Sequence, residues 1–415
     1  MRVTQVRDYS KRGDALPIPN LIQVQTEAYK RFLQSDVEPG KRKNEGLEAL
    51  LREVYPIESY DGNMKLEYLS YDLSKPRYTQ DECRALRLTF GMPFRVRVRL
   101  SRKDKAGELL EEAIYLGEIP IMTGGGEFII NGAERVIVSQ LHRSPGVDFV
   151  IDSQEGDRPL HACRVIPERG SWIEMNVTKK DVMAVRIDQS AKIPATTFLR
   201  AMDEKFSTNE ALLRAFYETR TVPVGQLKSD FYAVGAIIDT ETGEEIVKSG
   251  AMIGDSVAKI QASNVKKVEV IEKVNDPIIL NTIQEDGTTN YEQALLKIYG
   301  RLRPGNPPHF EKAKTLFAEK FFDANRYRLG RVGRFRINRK FEQKVPEDVM
   351  TLRAEDILGS LKYIMELRAG NGYIDDIDHL GNRRLRTIDE LASEELRKGF
   401  LDFHTLHPAT RDLCR

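Results

Sequence analysis

Three carboxylates crowd one short stretch, Asp375-Asp-Ile-Asp378, and clusters of that kind hold Mg²⁺ in polymerases and nucleases. His379, Asn382, Arg383, Arg384 and Arg386 follow at once, so the local field is mixed. The same carboxylates can instead pair with those arginines, or accept hydrogen bonds from a base or a backbone amide. The densest positive run spans 326–340, where Arg326, Arg328, Arg331, Arg334, Arg336, Arg339 and Lys340 alternate with Tyr327, Phe335 and Ile337. Such interleaving suits a surface that meets phosphates with guanidinium groups and packs bases on aromatics. It also suits a helix–strand junction whose arginines cover acidic neighbours. His142-Arg143 is a further basic spot. Trp172, the only tryptophan, follows Arg169-Gly-Ser171 and is either a core residue or a stacking platform.

Complete catalytic constellations do not emerge. Gly124-Gly-Gly126 lacks the Lys-Ser/Thr of a Walker loop and the spacing of a dinucleotide fingerprint. The six histidines are dispersed, with no H-E-x-x-H and no Ser/His/Asp pattern. Cys83, Cys163 and Cys414 stand far apart without a C-x-x-C pair, as expected of reduced thiols in the cytosol. From the residues alone, no catalytic group, metal ligand or bound cofactor is assigned to this chain.

The elements that must position these groups can be read from periodicity and turn chemistry. Two apolar runs, 128–130 and 136–138, flank Asn131-Gly132, which predicts a hairpin. Its outgoing arm delivers Ser139, Gln140, His142 and Arg143 to Ser144-Pro145-Gly146, where proline and glycine end the ladder. Residues 94–100 alternate at period two, with Val96, Val98 and Leu100 on one face and Arg95, Arg97 and Arg99 on the other. That arginine row is either a solvated face or one side of a phosphate groove. Further short strands are expected over 164–166, 171–176 and 183–187, helices over 194–204 and 209–218, and a self-contained strand-rich block over 222–275. The second half reads as mostly helical, with helices beginning after Asn290, at Phe310, near Ile357 and over 385–401. These patterns predict an α+β, multidomain fold of mixed strand-rich and helical modules with no complete catalytic barrel.

A chain of 415 residues with 40% hydrophobic and 31% charged residues can bury two or three cores. The net charge of +1 announces no global affinity for nucleic acid, so any such function rests on local clusters. No run of about 18 uncharged apolar residues occurs, and no apolar leader segment follows the charged start. The expectation is a soluble, cytoplasmic protein without membrane contact.

Ordered landmarks along the chain resemble the beta subunit of bacterial DNA-directed RNA polymerase. They include Ile18-Pro-Asn-Leu21, Gly117-Glu-Ile-Pro120, the hairpin through Gly146, Arg169-Gly-Ser-Trp172, Val185-Arg-Ile-Asp188, Arg303-Pro-Gly305, Val332-Gly-Arg334 and Asp376-Ile-Asp-His-Leu-Gly-Asn-Arg-Arg384. The resemblance implies a protrusion formed first by 1–134, an inserted lobe over 135–375 carrying the 222–275 block, and a fork-like return over 376–415. It implies that these form one wall of a DNA cleft. Arg143, Trp172, Asp378 and Arg383 match residues that form a pocket for a non-template-strand guanine. Val138 matches a position lining the rifamycin pocket, and Lys192 and Arg200 lie in a segment resembling one that contacts promoter DNA. The implied partners are DNA and the beta-prime, alpha and sigma subunits, with Mg²⁺ held by the partner subunit and nucleotide transfer not performed by this chain alone. The family's subunit is far longer, and from Leu401 the sequence departs from its pattern, so an N-terminal piece is expected. The alternative is a stand-alone fragment that keeps the fold and binds DNA or polymerase without catalysis.

Overall fold

The computed structural model describes residues 20–59, 62–103, 109–156, 158–239 and 243–406. Residues 1–19, part of the 222–275 block at 240–242, and the tail after 406 lie outside the described residues. Helices and several small antiparallel sheets give the expected α+β class, without a closed barrel. The chain divides into two compact units, Met1–His142 with Arg384–Arg415, and Arg143–Arg383. The crossings between these units fall at 143 and 384; the resemblance implies a lobe over 135–375. Among the described residues no helix is long and apolar enough to cross a membrane.

In the first unit, alternation along Gly91–Arg102 turns Val96 and Val98 inward and leaves Arg95 and Arg97 in solvent. This strand lies inside a four-stranded antiparallel sheet with Ile57–Glu58, Met64–Leu73 and Leu109–Pro120. The third arginine of the row, Arg99, ends on Glu111 of the next strand at 2.6 Å. Apolar faces of the helices Gln23–Leu33, Gly46–Val54 and Ile388–Leu406 share one core with the sheet, through Ala28, Phe32, Leu47, Leu51 and Ile388 against Tyr71, Phe94 and Val96.

Two expectations are corrected here. The hairpin does turn at Asn131 and Gly132, with φ of +51° and +80°, but its arms are Phe128–Ile130 and Ala133–Arg135. A two-residue turn must pair Ile130 with Ala133, so the 136–138 run falls beyond the ladder and Val138 is 74% exposed. The helix expected over 385–401 begins only at Ile388, because Arg383–Arg386 is a strand paired with Gln140–Arg143.

The second unit is built on a five-stranded antiparallel sheet ordered Ile193–Pro194, Met183–Ile187, Ile173–Val177, Arg158–Ile166 and Gly146–Glu155. Its apolar residues share one core with seven helices from Ala195–Met202 to Ala354–Arg368, including Phe198, Ile279, Leu295, Phe317, Ile337 and Ile364. The strand-rich block carries a separate small core of Val222, Phe231, Ala233, Val247, Ile260 and Val270. It consists of a three-stranded sheet, a two-stranded sheet and the helix Val257–Ala262.

Candidate nucleic-acid interface

Arg143 leaves the last residue of the strand Gln140–Arg143, and its guanidinium carbon lies 5.9 Å from the Trp172 ring centroid. That distance places the cation over the indole face, a favourable meeting with the ring quadrupole. Trp172 is half-buried, and its backbone is fixed by Asp188: the Trp172 N–H donates to Asp188 Oδ1 at 3.0 Å, and the Asp188 N–H donates to the Trp172 carbonyl at 2.8 Å. Asp188 holds φ at +53°, a conformation that a non-glycine residue keeps only when its surroundings enforce it. Lys320 reaches its other carboxylate oxygen at 3.3 Å. Ahead of the indole, Gly170 sits at φ +125° where a Cβ would meet the Tyr327 ring at 2.7 Å, so only glycine lets this turn lie so close.

Asp378 and Arg383 form the second half. Their side chains make an ion pair, and Arg383 Nε also donates to the Ile377 carbonyl at 3.2 Å. The Asp378 side chain is 84% exposed, so its remaining acceptor positions face water. The loop beneath it is closed by Asp376, whose carboxylate accepts from the Asp378 N–H at 2.9 Å, and by Asn382, whose amide donates to the Asp376 carbonyl at 2.6 Å. Asp375 turns inward: it accepts from the Phe149 N–H at 2.9 Å and from Lys340 at 3.2 Å. The three clustered carboxylates thus have separate partners and do not share a point. Among the described residues no group of His, Cys, Asp and Glu is arranged to hold a metal ion.

The two halves are joined. The Ser144 N–H, next to Arg143, donates to the carbonyl of Asn382, next to Arg383, at 3.0 Å. The chain segments that carry Arg143 and Arg383, far apart in sequence, therefore meet at this bond.

Other predicted residues do not join it. Lys192 precedes Ile193–Pro194, the edge strand that pairs with Met183–Ile187. It lines an open cavity of about 530 Å³ with Lys179 and Lys180. With the Asn176 amide turned to satisfy both neighbours, Lys192 donates to its oxygen at 2.8 Å. Val138 belongs to the first unit. Arg200 must be corrected: it is fully buried, salt-bridged to Asp286 at 3.5 Å, and hydrogen-bonded to Asn209 and the Ser207 carbonyl. Reaching a phosphate would abandon all of these and leave Asp286 buried without its arginine, so Arg200 leaves the set of DNA contacts.

The basic run at 326–340 also resolves differently from a phosphate-facing surface. Gly330–Phe341 is a helix, and Arg334 on it is completely buried, donating to Asp356 at 2.8 Å and to the carbonyls of Val349 and Thr351. Arg326 pairs with Glu319 and Arg328 with Glu168. The reading in which arginines cover acidic neighbours describes most of this run. Arg384 and Arg386 likewise end on Glu390 and Glu394. Sequence reasoning missed Arg336 and Lys340 as supports of the site; Asp188 stood within the Val185-Arg-Ile-Asp188 landmark, with no role assigned to it.

A family model described as "RNA polymerase beta subunit" matches residues 20–124, and one described as "RNA polymerase Rpb2, domain 2" matches 253–386. The DNA-directed RNA polymerase subunit beta of Rhodopirellula baltica is 56% identical over 96% of this chain and 33% of its own length. The chain belongs to the RNA polymerase beta-subunit family. The subunits of Leptospira biflexa and Geobacter sp. are 40% and 38% identical over 96% and 95% of this chain, and over 34% of their own lengths. The chain spans about a third of these curated relatives and corresponds to the N-terminal part of the beta subunit.

Proposed function

We propose that this chain acts in DNA-templated RNA synthesis as the part of a cytoplasmic RNA polymerase beta subunit that forms one wall of the DNA cleft. Between its two polar pairs it receives an unpaired guanine of the non-template strand. The observation that supports this most is the hydrogen bond from Ser144 to Asn382, which joins the segment of Arg143, stacked on Trp172, to the segment of Arg383, paired with Asp378. An indole backed by a guanidinium offers a stacking surface for any base. An exposed carboxylate selects guanine, because the ring N–H and amino group on guanine's Watson–Crick edge both donate. Arg383 then either steadies that carboxylate or meets the adjoining phosphate.

Lys192 is proposed as an outlying phosphate contact and Val138 as part of an inhibitor-binding surface. Nucleotide transfer and its Mg²⁺ are assigned to partner subunits, since Asp375 and Asp376 are engaged by Lys340, Phe149 and Asp378. The proposed partners are DNA and the beta-prime, alpha and sigma subunits; stoichiometric recovery of these with the tagged chain supports assembly, and recovery of the chain alone supports a non-catalytic binding fragment instead. In the assembled enzyme, Asp378→Ala should lower the preference for guanine over adenine by about 1–3 kcal/mol, the scale of one good base contact. Equal binding of both bases by wild type and variant sinks the guanine assignment.

A further inference from the structure

We infer that Arg336 is a positioning residue for this pocket: one guanidinium clamps the segment that carries Arg143 to the segment that carries Arg383. The inference rests on the guanine-pocket reading only for its consequence in base choice; the clamp itself stands on geometry within the second unit. Arg336 Nη1 donates to the carbonyls of Ser144 at 3.1 Å and Pro145 at 3.4 Å, the two residues that follow Arg143. Its Nη2 donates to Asn382 Oδ1 at 3.0 Å, the residue before Arg383, and to Asp148 Oδ1 at 2.8 Å. Four acceptors on two chain segments are thus gathered by one planar fork, a geometry that a lysine ammonium cannot reproduce.

The charge is held in place from below. Asp148 is buried, and burial pushes its carboxyl up from the ordinary carboxylate range while Arg336 pulls it back down. One turn further along the same helix, Lys340 does the corresponding work for the Asp375 side of the loop. It pairs with Asp375 and lies 3.7 Å from the Tyr373 ring centroid and 4.7 Å from that of Tyr363. The helix Gly330–Phe341 therefore presents two cations, at i and i+4, to the two arms of the pocket, and none of the four proposed base-contacting side chains touches Arg336 itself in the contacts described above. Its effect on base choice passes through the backbone of 144–145, through Asn382 and through Asp148, whose carboxylate also feels the charge of Arg143.

The test uses two variants, because Arg336→Met strands the buried Asp148 and risks unfolding. Arg336→Lys keeps the charge and loses the fork, and is the variant that isolates Arg336; Asn382→Ala cuts the tie to the second segment together with the Asn382 bond to the Asp376 carbonyl. Trp172 is the sole tryptophan of the chain, so its fluorescence reports the stacked Arg143 without any DNA. Both variants should change the Trp172 emission maximum and raise its acrylamide quenching while far-ultraviolet dichroism stays the same. In the assembled enzyme both should lower guanine preference about tenfold with all four contacting residues intact, comparable to losing one base contact. Unchanged Trp172 emission and quenching in both variants overturns the clamp. If the emission shifts but Asp378→Ala leaves guanine preference untouched, the clamp stands and the guanine reading fails. If Asp378→Ala abolishes the preference while neither Arg336→Lys nor Asn382→Ala alters it, the positioning inference is the one that fails.

Discussion

The helix Gly330–Phe341, dense in arginine, and the loop that ends at a single arginine, Arg383, both set guanidinium groups against carboxylates, yet they do so in opposite ways. On the helix, Arg334 and Arg336 reach carboxylates on distant parts of the chain, Asp356 and Asp148, and both carboxylates are buried. At the loop, Arg383 meets a carboxylate only a few residues away that stays in water, and Arg143 lies over an indole. A buried guanidinium whose donors are all taken has nothing left to offer a phosphate. A half-exposed one beside an exposed acceptor does. Under the proposed function, density of positive charge along the sequence is a poorer guide to nucleic-acid contact than the number of donors left free.

The sharpest way to break this contrast is to remove an inward cation. Arg334→Ala leaves Asp356, itself almost fully buried, without its partner, and the carbonyls of Val349 and Thr351 lose their donor as well. Chemical denaturation of the chain should show a loss of about 3–5 kcal/mol, the usual result of halving a buried ion pair. A loss below about 1 kcal/mol would mean that water reaches this node and that the helix is less internal than its contacts imply.

Much of the architecture was legible because it follows from local rules. Val96 and Val98 alternate with arginines, Asn131-Gly132 specifies a tight reversal, and Asn290 caps the helix Tyr291–Leu302 by accepting from the Gln293 N–H. What escaped depends on residues far away in sequence. Arg200 is followed by ordinary helix positions, and nothing near it announces that Asp286, Ser207 and Thr289 will close around it. The partner of Arg336 lies 188 positions upstream. Charge patterns can be counted in a sequence; whether a charge is neutralised depends on tertiary neighbours, and that is why the proposed pocket residues rest on resemblance and the supporting Arg336 and Lys340 had no signal in the sequence.

A second test concerns the Arg200–Asp286 node and uses pH. Burial alone would raise the Asp286 carboxyl, but hydrogen bonds from the hydroxyls of Thr196, Thr288 and Thr197 and from the Thr288 N–H bring it below the ordinary carboxylate value. A depressed native value means that the unfolded chain takes up a proton before the folded one. The stabilisation is complete above the unfolded carboxylate range and disappears as pH falls through the native value. Asp286→Asn should therefore flatten the acid side of the stability–pH curve measured by denaturant midpoints, besides lowering stability at neutral pH. A variant curve parallel to the wild type down to acid pH would show that other carboxylates set the slope.

The smallest effect belongs to the outward side of the same basic helix. Arg331 and Asp348 approach to 3.6 Å, but their side chains are 71% and 85% exposed. An exposed pair of long side chains gains little Coulomb energy in water and loses rotamer freedom, so Arg331→Ala should change stability by less than about 0.5 kcal/mol. Raising the salt concentration should remove even that. The informative comparison is with DNA. If this face carried phosphate contacts, Arg331→Ala in the assembled enzyme would reduce the slope of log affinity against log salt by about one unit. The inward use of Arg334 and Arg336 predicts no change in that slope for Arg331→Ala, whereas Arg143→Ala should reduce it if its guanidinium reaches a phosphate as well as the indole. Finding the larger slope change at Arg331 would reverse the order of the two regions and return the helix to the DNA-facing surface.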